Sequence, residues 1–571
     1  MQIIKSFIKL LVFICPFAAM AQSTYLPEGD KGYHFLDRLE IKQQTNTSLN
    51  FSSIKPYNRR YIVQQAEFID SLRKESGNSL VAASANHLKF TGLDEYNMNS
   101  FLMNNTEWVT GSKESFASKK PVLKSFYKTK PNLLEINTKD FFLAINPILQ
   151  LHAGKQRGYN ESIYLNTRGV NVRGMIARKI GFYTSLTDNQ ERGPTFFQQK
   201  VIDLRAVPGV GFYKGFKKSG VDYFDARGYI TFNAAKYVDV QFGYDKNFIG
   251  DGYRSLFLSD WGNSYLFAKL NTRIWKFNYQ NLFMELMPQF VKYGDVLLDR
   301  KYAAMHHLSM NVTKWLNIGV FESIIFGRKN HFDFQYLNPI IFLRHIEGSL
   351  GSPDNALLGG DFKANICHHV QVYGQLLIDE FKLSKLKENR GWWGNKFGTQ
   401  LGIKYIDAFG IKNLDFQVES NRVRPYTYSH NDSVSNYSHY NQTLAHPLGA
   451  NFQEFIGIVN YQPLPRVYIL GKVIYYKKGL DSLAYNAGGD IFRLDTDRNG
   501  IDEGYNVGGG QKATCLNALL QLSYEVRENL YFDLSYQHRT FKIAGSPVQN
   551  STISLITAGV RLNIAKRQYD F

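Results

Sequence analysis

From about residue 140 to its end, the chain alternates between apolar and polar side chains. Val238, Val240 and Phe242 interleave with Asp239 and Gln241, and Trp275, Phe277 and Tyr279 with Lys276 and Asn278. The same holds for Val370, Val372, Leu376 and Ile378 against Gln371, Tyr373 and Gln375, and for Leu530, Phe532, Leu534 and Tyr536 against Asp533, Ser535 and Gln537. A last run sets Ile556, Ala558, Val560, Leu562 and Ile564 against Thr557, Gly559, Arg561 and Asn563. A period of two sends each set to its own face of a strand. Such runs last about ten residues, the length of a tilted strand that crosses a membrane. One face is greasy and the other carries Lys, Asp, Gln and Arg, which predicts a transmembrane β-barrel with a water-filled lumen. Polar stretches separate the runs, notably 421–450, rich in Ser, Asn, Tyr and His, and 486–510, rich in Gly and Asp. Long connections of this kind are expected outside the cell, and short turns on the periplasmic side.

Before residue 140 the periodicity changes. Ile62, Ala66, Ile69 and Leu72 recur at helical spacing within residues 60–76, and residues 79–101 also read as mostly helical. Residues 22–140 are therefore expected to form a small, mostly helical region that plugs the barrel or caps its periplasmic mouth, with a separate periplasmic domain as the alternative, and residues 141–571 the barrel. At the start, Lys5 and Lys9 precede the apolar run 10–20, and Ala19-Met20-Ala21 closes it. A positive start, a short apolar core and a small-x-small end predict a signal peptide over 1–21, cleaved after Ala21. The run is too short to span a bilayer, which takes about 20 apolar residues. Cys15 follows Ile14, where a lipoprotein signal would place a small residue.

Composition supports the barrel. Aromatics make up 15% of the chain, with 42 Phe and 36 Tyr, yet the mean hydropathy is only −0.30. Aromatic girdles and a lipid face made of every second residue produce this combination. A soluble sandwich or propeller is the competing architecture, but no blade-sized repeat is present. The chain ends in Phe571, as outer-membrane barrels usually end in an aromatic, although Lys566 and Arg567 fit that signal poorly. The formal charge of +18 favours acidic partners such as anionic polysaccharide or lipopolysaccharide phosphate. Export argues against nucleic acid. Cys367 and Cys515 are no disulfide framework and read as small wall residues.

Four stretches carry a family likeness. They are Tyr25-Leu26-Pro27 with residues 33–40; Lys55-Pro56-Tyr57-Asn58-Arg59; residues 243–260, through Gly250-Asp251-Gly252-Tyr253-Arg254; and Tyr336-Leu337-Asn338-Pro339 with residues 352–361. Together they resemble the Wzi-like capsule-assembly barrels of the Bacteroidetes type, often labelled RemB-like gliding-motility proteins. The resemblance implies a barrel of about 18 strands, within the bacterial range, with an N-terminal helical plug. It also implies a non-catalytic role in attaching or organising surface polysaccharide, or one in gliding adhesion with motility or adhesin proteins as partners. A porin-like channel is the other reading of a barrel with a basic lumen.

Two places invite a ligand. In 243–260, Arg254 could pair with a carboxylate or phosphate, with Tyr253 or Trp261 stacking on sugar. The competing expectation is a tight strand connection in which Arg254 forms an ion pair with Asp245 or Asp251, and the cost of an unpaired buried charge favours it. Asp495, Asp497, Asn499 and Glu503 begin like a calcium loop, but Asn506 stands where the bidentate Glu belongs. This is at most a weak calcium site beside the plain reading of an acidic surface turn. His306-His307 and His368-His369 would point to opposite faces of a strand and cannot chelate as pairs. No Gly-x-Ser-x-Gly, His-Glu-x-x-His or phosphate-loop motif is present.

Overall fold

The computed structural model describes residues 23–75, 90–288, 297–329, 331–498 and 500–571. The expected signal peptide over 1–21, part of the expected helix over 79–101, and Asn499 lie outside the described residues. The chain forms a closed antiparallel barrel of 18 main strands. They are β1 (Phe141–Gln156), β2 (Ile163–Ile176), β3 (Ile180–Arg192), β4 (Gly220–Ala235), β5 (Val238–Asp245), β6 (Tyr265–Ile274), β7 (Phe277–Leu286), β8 (Lys301–Asn311) and β9 (Leu316–Phe326). The circuit continues through β10 (Asn355–Ile366), β11 (Val370–Glu380), β12 (Lys396–Tyr405), β13 (Leu414–Val423), β14 (Phe452–Leu464), β15 (Val467–Leu480), β16 (Gln511–Arg527), β17 (Leu530–Ile543) and β18 (Ser551–Leu562). β18 closes on β1 in the register Leu555↔Gln156 to Leu562↔Leu149. Leu134–Asn137 and Lys214–Phe216 add short pairings to the wall. No helix among the described residues is long and apolar enough to cross a membrane.

The alternation read from the sequence sets the wall. Asp239 and Gln241 face inward and are buried, whereas Phe242 is exposed to the outside. Trp275 and Lys276 instead form the turn between β6 and β7, Trp275 taking a φ of 53°. Cys515 is buried, but Cys367 is exposed in the turn between β10 and β11 rather than in the wall.

Protein segments pack into the lumen. Residues 246–264, the loop 424–451 and the tail 563–571 all fold inward. Leu256, Phe257 and Leu258 pack with Tyr428, Tyr437 and Leu444 against wall residues such as Leu282, Met305 and Phe321. Phe257 stacks on Phe321 with ring centroids 4.5 Å apart. Residues 424–451, expected as an external polar loop, thus form part of the core. Residues 327–354 do the reverse and fold back over the outer wall. Tyr336, Leu343 and Ile346 cover Phe283, Tyr302, Ala304, Ile324 and Phe326.

Three helices cap the mouth that carries the short turns: α1 (Gly32–Gln43), α2 (Arg59–Glu75) and α3 (Gly92–Met103). The helix expected from Ile62, Ala66 and Ile69 is α2, and these three side chains enter a core with Leu36, Leu39 and Phe101. α1 lies in a stretch that the helical spacing left unassigned. Charges dock this cap onto the turns. Arg38 binds Asp94 at 3.1 Å, Asp407 at 2.9 Å and also Asp415, while Lys42 binds Asp94 at 2.6 Å and Asp407 at 3.0 Å. Lys31 reaches Glu525 and Glu528 at the β16–β17 turn.

Burial alone would raise the Asp94 and Asp407 carboxyls, but Arg38 and then Lys42 hold both below the ordinary aspartate value. A depressed carboxyl stabilises the folded state above its unfolded pKa and ceases to do so as the pH falls through the folded value. The cap should therefore loosen as the pH falls below about 4, seen as protease cleavage near the N-terminus while the barrel keeps its heat-modifiable mobility on gels. Arg38→Gln should do the same at neutral pH, since removing one partner of a buried ionic cluster costs about 3–5 kcal/mol.

Candidate functional site

The stretch 243–260 is not a tight connection. Beyond Asp245 the chain leaves the wall, and Phe248–Ile249 pairs antiparallel with Ile54–Lys55 of the N-terminal region inside the barrel. Gly250 takes a φ of 153°, and a Cβ there would lie 2.8 Å from the Gln375 amide. A Cβ on Gly252 would collide with the Glu419 carboxylate. The two glycines thus let the backbone press against β11 and β13.

That approach delivers Tyr253 and Arg254 into a polar network. The Glu419 carboxylate accepts from the Tyr253 backbone N–H at 2.7 Å, the Arg254 N–H at 3.1 Å and the Tyr373 hydroxyl at 2.8 Å. Arg254 donates to the Asp570 carbonyl at 2.6 Å and lies 3.8 Å from its carboxylate and 3.9 Å from Glu454. The Glu454 carboxylate lies 2.7 Å from His446. Lys472 donates to Asp570 at 2.7 Å, to the Tyr253 hydroxyl at 2.7 Å and to Gln568 at 2.8 Å, and the Tyr253 hydroxyl donates to Asp570. Burial would raise the Asp570 carboxyl, but Lys472 and Arg254 hold it well below the usual range. Burial, and then Asp570, push the Tyr253 phenol up, so that it stays a donor.

The expected partners of Arg254 are thereby corrected. Asp251 binds Lys363 at 3.0 Å, and Asp245 faces Arg227 at 3.8 Å. The carboxylates that Arg254 does meet come from β14 and from the C-terminal tail, far away in sequence. Trp261 stands apart from Tyr253 and Arg254 and packs on Phe571 with centroids 4.8 Å apart. Phe571 is itself buried beside Phe196 and Phe197, so the terminal aromatic belongs to the lumen core and not to the lipid face of the last strand.

The acidic loop also resolves into separate contacts. Asp495 binds Lys396 at 2.6 Å, Asp497 binds Arg493, and Glu503 faces Lys385 at 3.7 Å and Arg390 at 3.8 Å. These carboxylates each answer a cation and do not converge. Among the described residues no group of three or more His, Cys, Asp or Glu side chains is placed to hold a metal. His306 and His307 point to opposite faces. His306 meets Glu322 at 2.8 Å under the outer flap, and His307 meets Asp361 at 2.8 Å in the lumen. His368 and His369 sit at the turn and face the carbonyls of Lys42 and Ile406.

The tail is the pin of this network. Asp570→Ala should leave Arg254 and Lys472 without their shared carboxylate and cost about 3–5 kcal/mol. Its barrel should unfold at lower temperature and, in planar bilayers, pass more current than the parent protein.

No protein-family model matches the chain, and no curated protein does. Among solved structures it is similar to Wzi, described as an outer-membrane protein involved in group 1 capsule assembly in Escherichia coli and a carbohydrate-binding β-barrel. The likeness has a TM-score of 0.56 at 13% identity and spans 96% of this chain and 100% of that one. OprD of Pseudomonas aeruginosa aligns over 73% of this chain and 94% of its own at 10% identity and a TM-score of 0.39. OccAB2 of Acinetobacter baumannii aligns over 74% and 97% at 9% identity and a TM-score of 0.42. The chain therefore has the fold of a closed outer-membrane β-barrel, one it shares over nearly its whole length with Wzi.

Proposed function

We propose that this protein is a non-catalytic outer-membrane barrel that binds or organises surface polysaccharide, in capsule assembly or attachment. The observation that carries this reading is the filled lumen. Two long inward segments, the tail and a three-helix cap occupy or cover the interior, which suits a barrel that presents a surface better than one that conducts. The excess of basic residues, +18 in all, favours an acidic polymer. Wzi, with the same fold, is described as carbohydrate-binding. On this reading the signal peptide is removed after Ala21, the short turns and helical cap face the periplasm, and the long loops meet the polymer outside. The family likeness of 243–260 to capsule and gliding proteins fits a surface role of either kind.

Deleting the gene and staining the cell surface for capsule, with spreading scored on the same cells, tests the proposal. Lost or shed capsule with normal spreading is expected. Intact capsule with lost spreading would make the protein a motility component instead. The purified barrel should bind its cell's own anionic polymer at low salt and lose it at high salt, without a large steady conductance.

A further inference from the structure

Between the helical cap and β1, residues 117–130 form a hairpin arm at the short-turn mouth. The pairings Ala117↔Thr129 and Val122↔Phe126 hold it, with the Ser118 N–H donating to the Lys128 carbonyl at 2.8 Å. Both of its roots are fixed. Phe116 enters the core of the cap, and Leu134–Asn137 joins the wall by pairing with residues 142–145 of β1. That short strand keeps the alternation of the wall. Glu135 turns to Thr106, Thr129 and Asn132, while Ile136 is 39% exposed. The arm therefore leaves the barrel at the edge of its lipid face. The Arg527 guanidinium of the β16–β17 turn lies 4.9 Å from the Tyr127 ring of the arm. Beside that turn, Tyr524, Val526 and Phe532 are exposed on the outer wall.

The arm is basic and its tip is apolar. From Ser115 to Leu134 the chain carries Lys119, Lys120, Lys124, Lys128 and Lys130 and no acidic residue. All five lysines are exposed. Lys130 donates to the Ser115 carbonyl at 2.6 Å, and none of the five forms an ion pair among the described residues. Exposed Lys179 and Arg527 at the two neighbouring turns extend the same sign of charge. At the tip, Val122 is 51% and Leu123 80% exposed. Leu123 and Lys124 take φ angles of 48° and 56°, a left-handed conformation that hairpin tips ordinarily give to Gly or Asn. The backbone thus holds a large apolar side chain outward, between lysines, in a conformation that is itself unfavourable for it.

We propose that this arm binds the membrane leaflet on the short-turn side. Val122 and Leu123 enter the edge of the hydrocarbon, and the lysines take the phosphates of anionic phospholipids. A soluble polyanion would answer the lysines and leave Leu123 in water. An apolar protein groove would bury Leu123 and leave the lysines unanswered. A leaflet sets phosphate over hydrocarbon and answers both, and the arm starts from the wall where that boundary lies. With the short turns on the periplasmic side, the leaflet is the inner one of the outer membrane. Because Phe116 at the root of the arm sits in the cap core, the bound arm also holds the helical cap to the rim. This role is independent of what the other mouth of the barrel binds.

A nitroxide label on Ser125→Cys, in a Cys367→Ser and Cys515→Ala background, reports on the tip in the full barrel. The barrel is reconstituted in vesicles of phosphatidylcholine alone or of an equal mixture of phosphatidylcholine and phosphatidylglycerol. In the anionic vesicles oxygen should relax the label more than a water-soluble nickel chelate does. In phosphatidylcholine alone, or at high salt, the order should reverse. A lysine near an anionic surface changes partitioning about fivefold, so Lys120→Gln with Lys124→Gln should cut it about 25-fold and return the label to water. Leu123→Ser should do so in part. All these variants should keep the heat-modifiable mobility of the parent, which separates lost lipid contact from lost folding. A label equally open to water in both lipids would overturn the proposal, as would one that stays in the hydrocarbon when the lysines are removed. Dextran sulfate added to the neutral vesicles is the remaining control. If it shields the tip as well as the anionic leaflet does, and equally in Leu123→Ser, the partner is a soluble polyanion and the leaflet is ruled out.

Discussion

A charge inside a packed barrel has to be answered by another charge or by a full set of hydrogen bonds, and that constraint organises the structure. The wall strands carry Lys, Arg, Asp and Glu on their inner face. An open pore would leave water to solvate them. Here packed segments enter the lumen, and the wall charges choose where those segments sit. Lys363 fixes Glu40 of the cap and Asp251 of the first inward segment together. Lys472 and Arg254 fix the tail through Asp570, and Lys396 fixes the loop bearing Asp495. Lys363, Lys396 and Lys472 are thus wall cations on which elements from elsewhere in the chain dock.

The consequence is an interior tied together from both ends. The N-terminal region and the segment after β5 meet as a two-residue strand pair within the barrel. The loop after β13 buries Tyr428 and Tyr437 in the lumen core.

Much of the architecture is legible in the chain. Alternation at Val238–Phe242 or Leu530–Gln537 identifies wall strands because burial on one face and exposure on the other are imposed by the pleat itself. The spacing of Ile62, Ala66 and Ile69 identifies α2 for the analogous reason. Helix α1 is harder to read, because Arg38, Glu40 and Lys42 are buried along with Phe35, Leu36 and Leu39, and these cap charges blur its apolar stripe. Tyr253 and Arg254 could be singled out from their glycine-rich setting, but Glu454, Lys472 and Asp570 could not be assigned to them.

What the sequence by itself determined was the local and periodic part: strands, their two faces, the helical start and the basic excess, since period and composition act over neighbouring residues. Tertiary structure alone decided which polar stretches enter the lumen and which, like 327–354, fold over the outer wall. It also decided that Phe571 is buried inside and that Asp495, Asp497 and Glu503 turn to separate cations. These outcomes depend on pairing charges and filling volume between segments hundreds of residues apart. No local pattern records the partner of a buried charge, because the closed wall brings it into reach only after the barrel has formed.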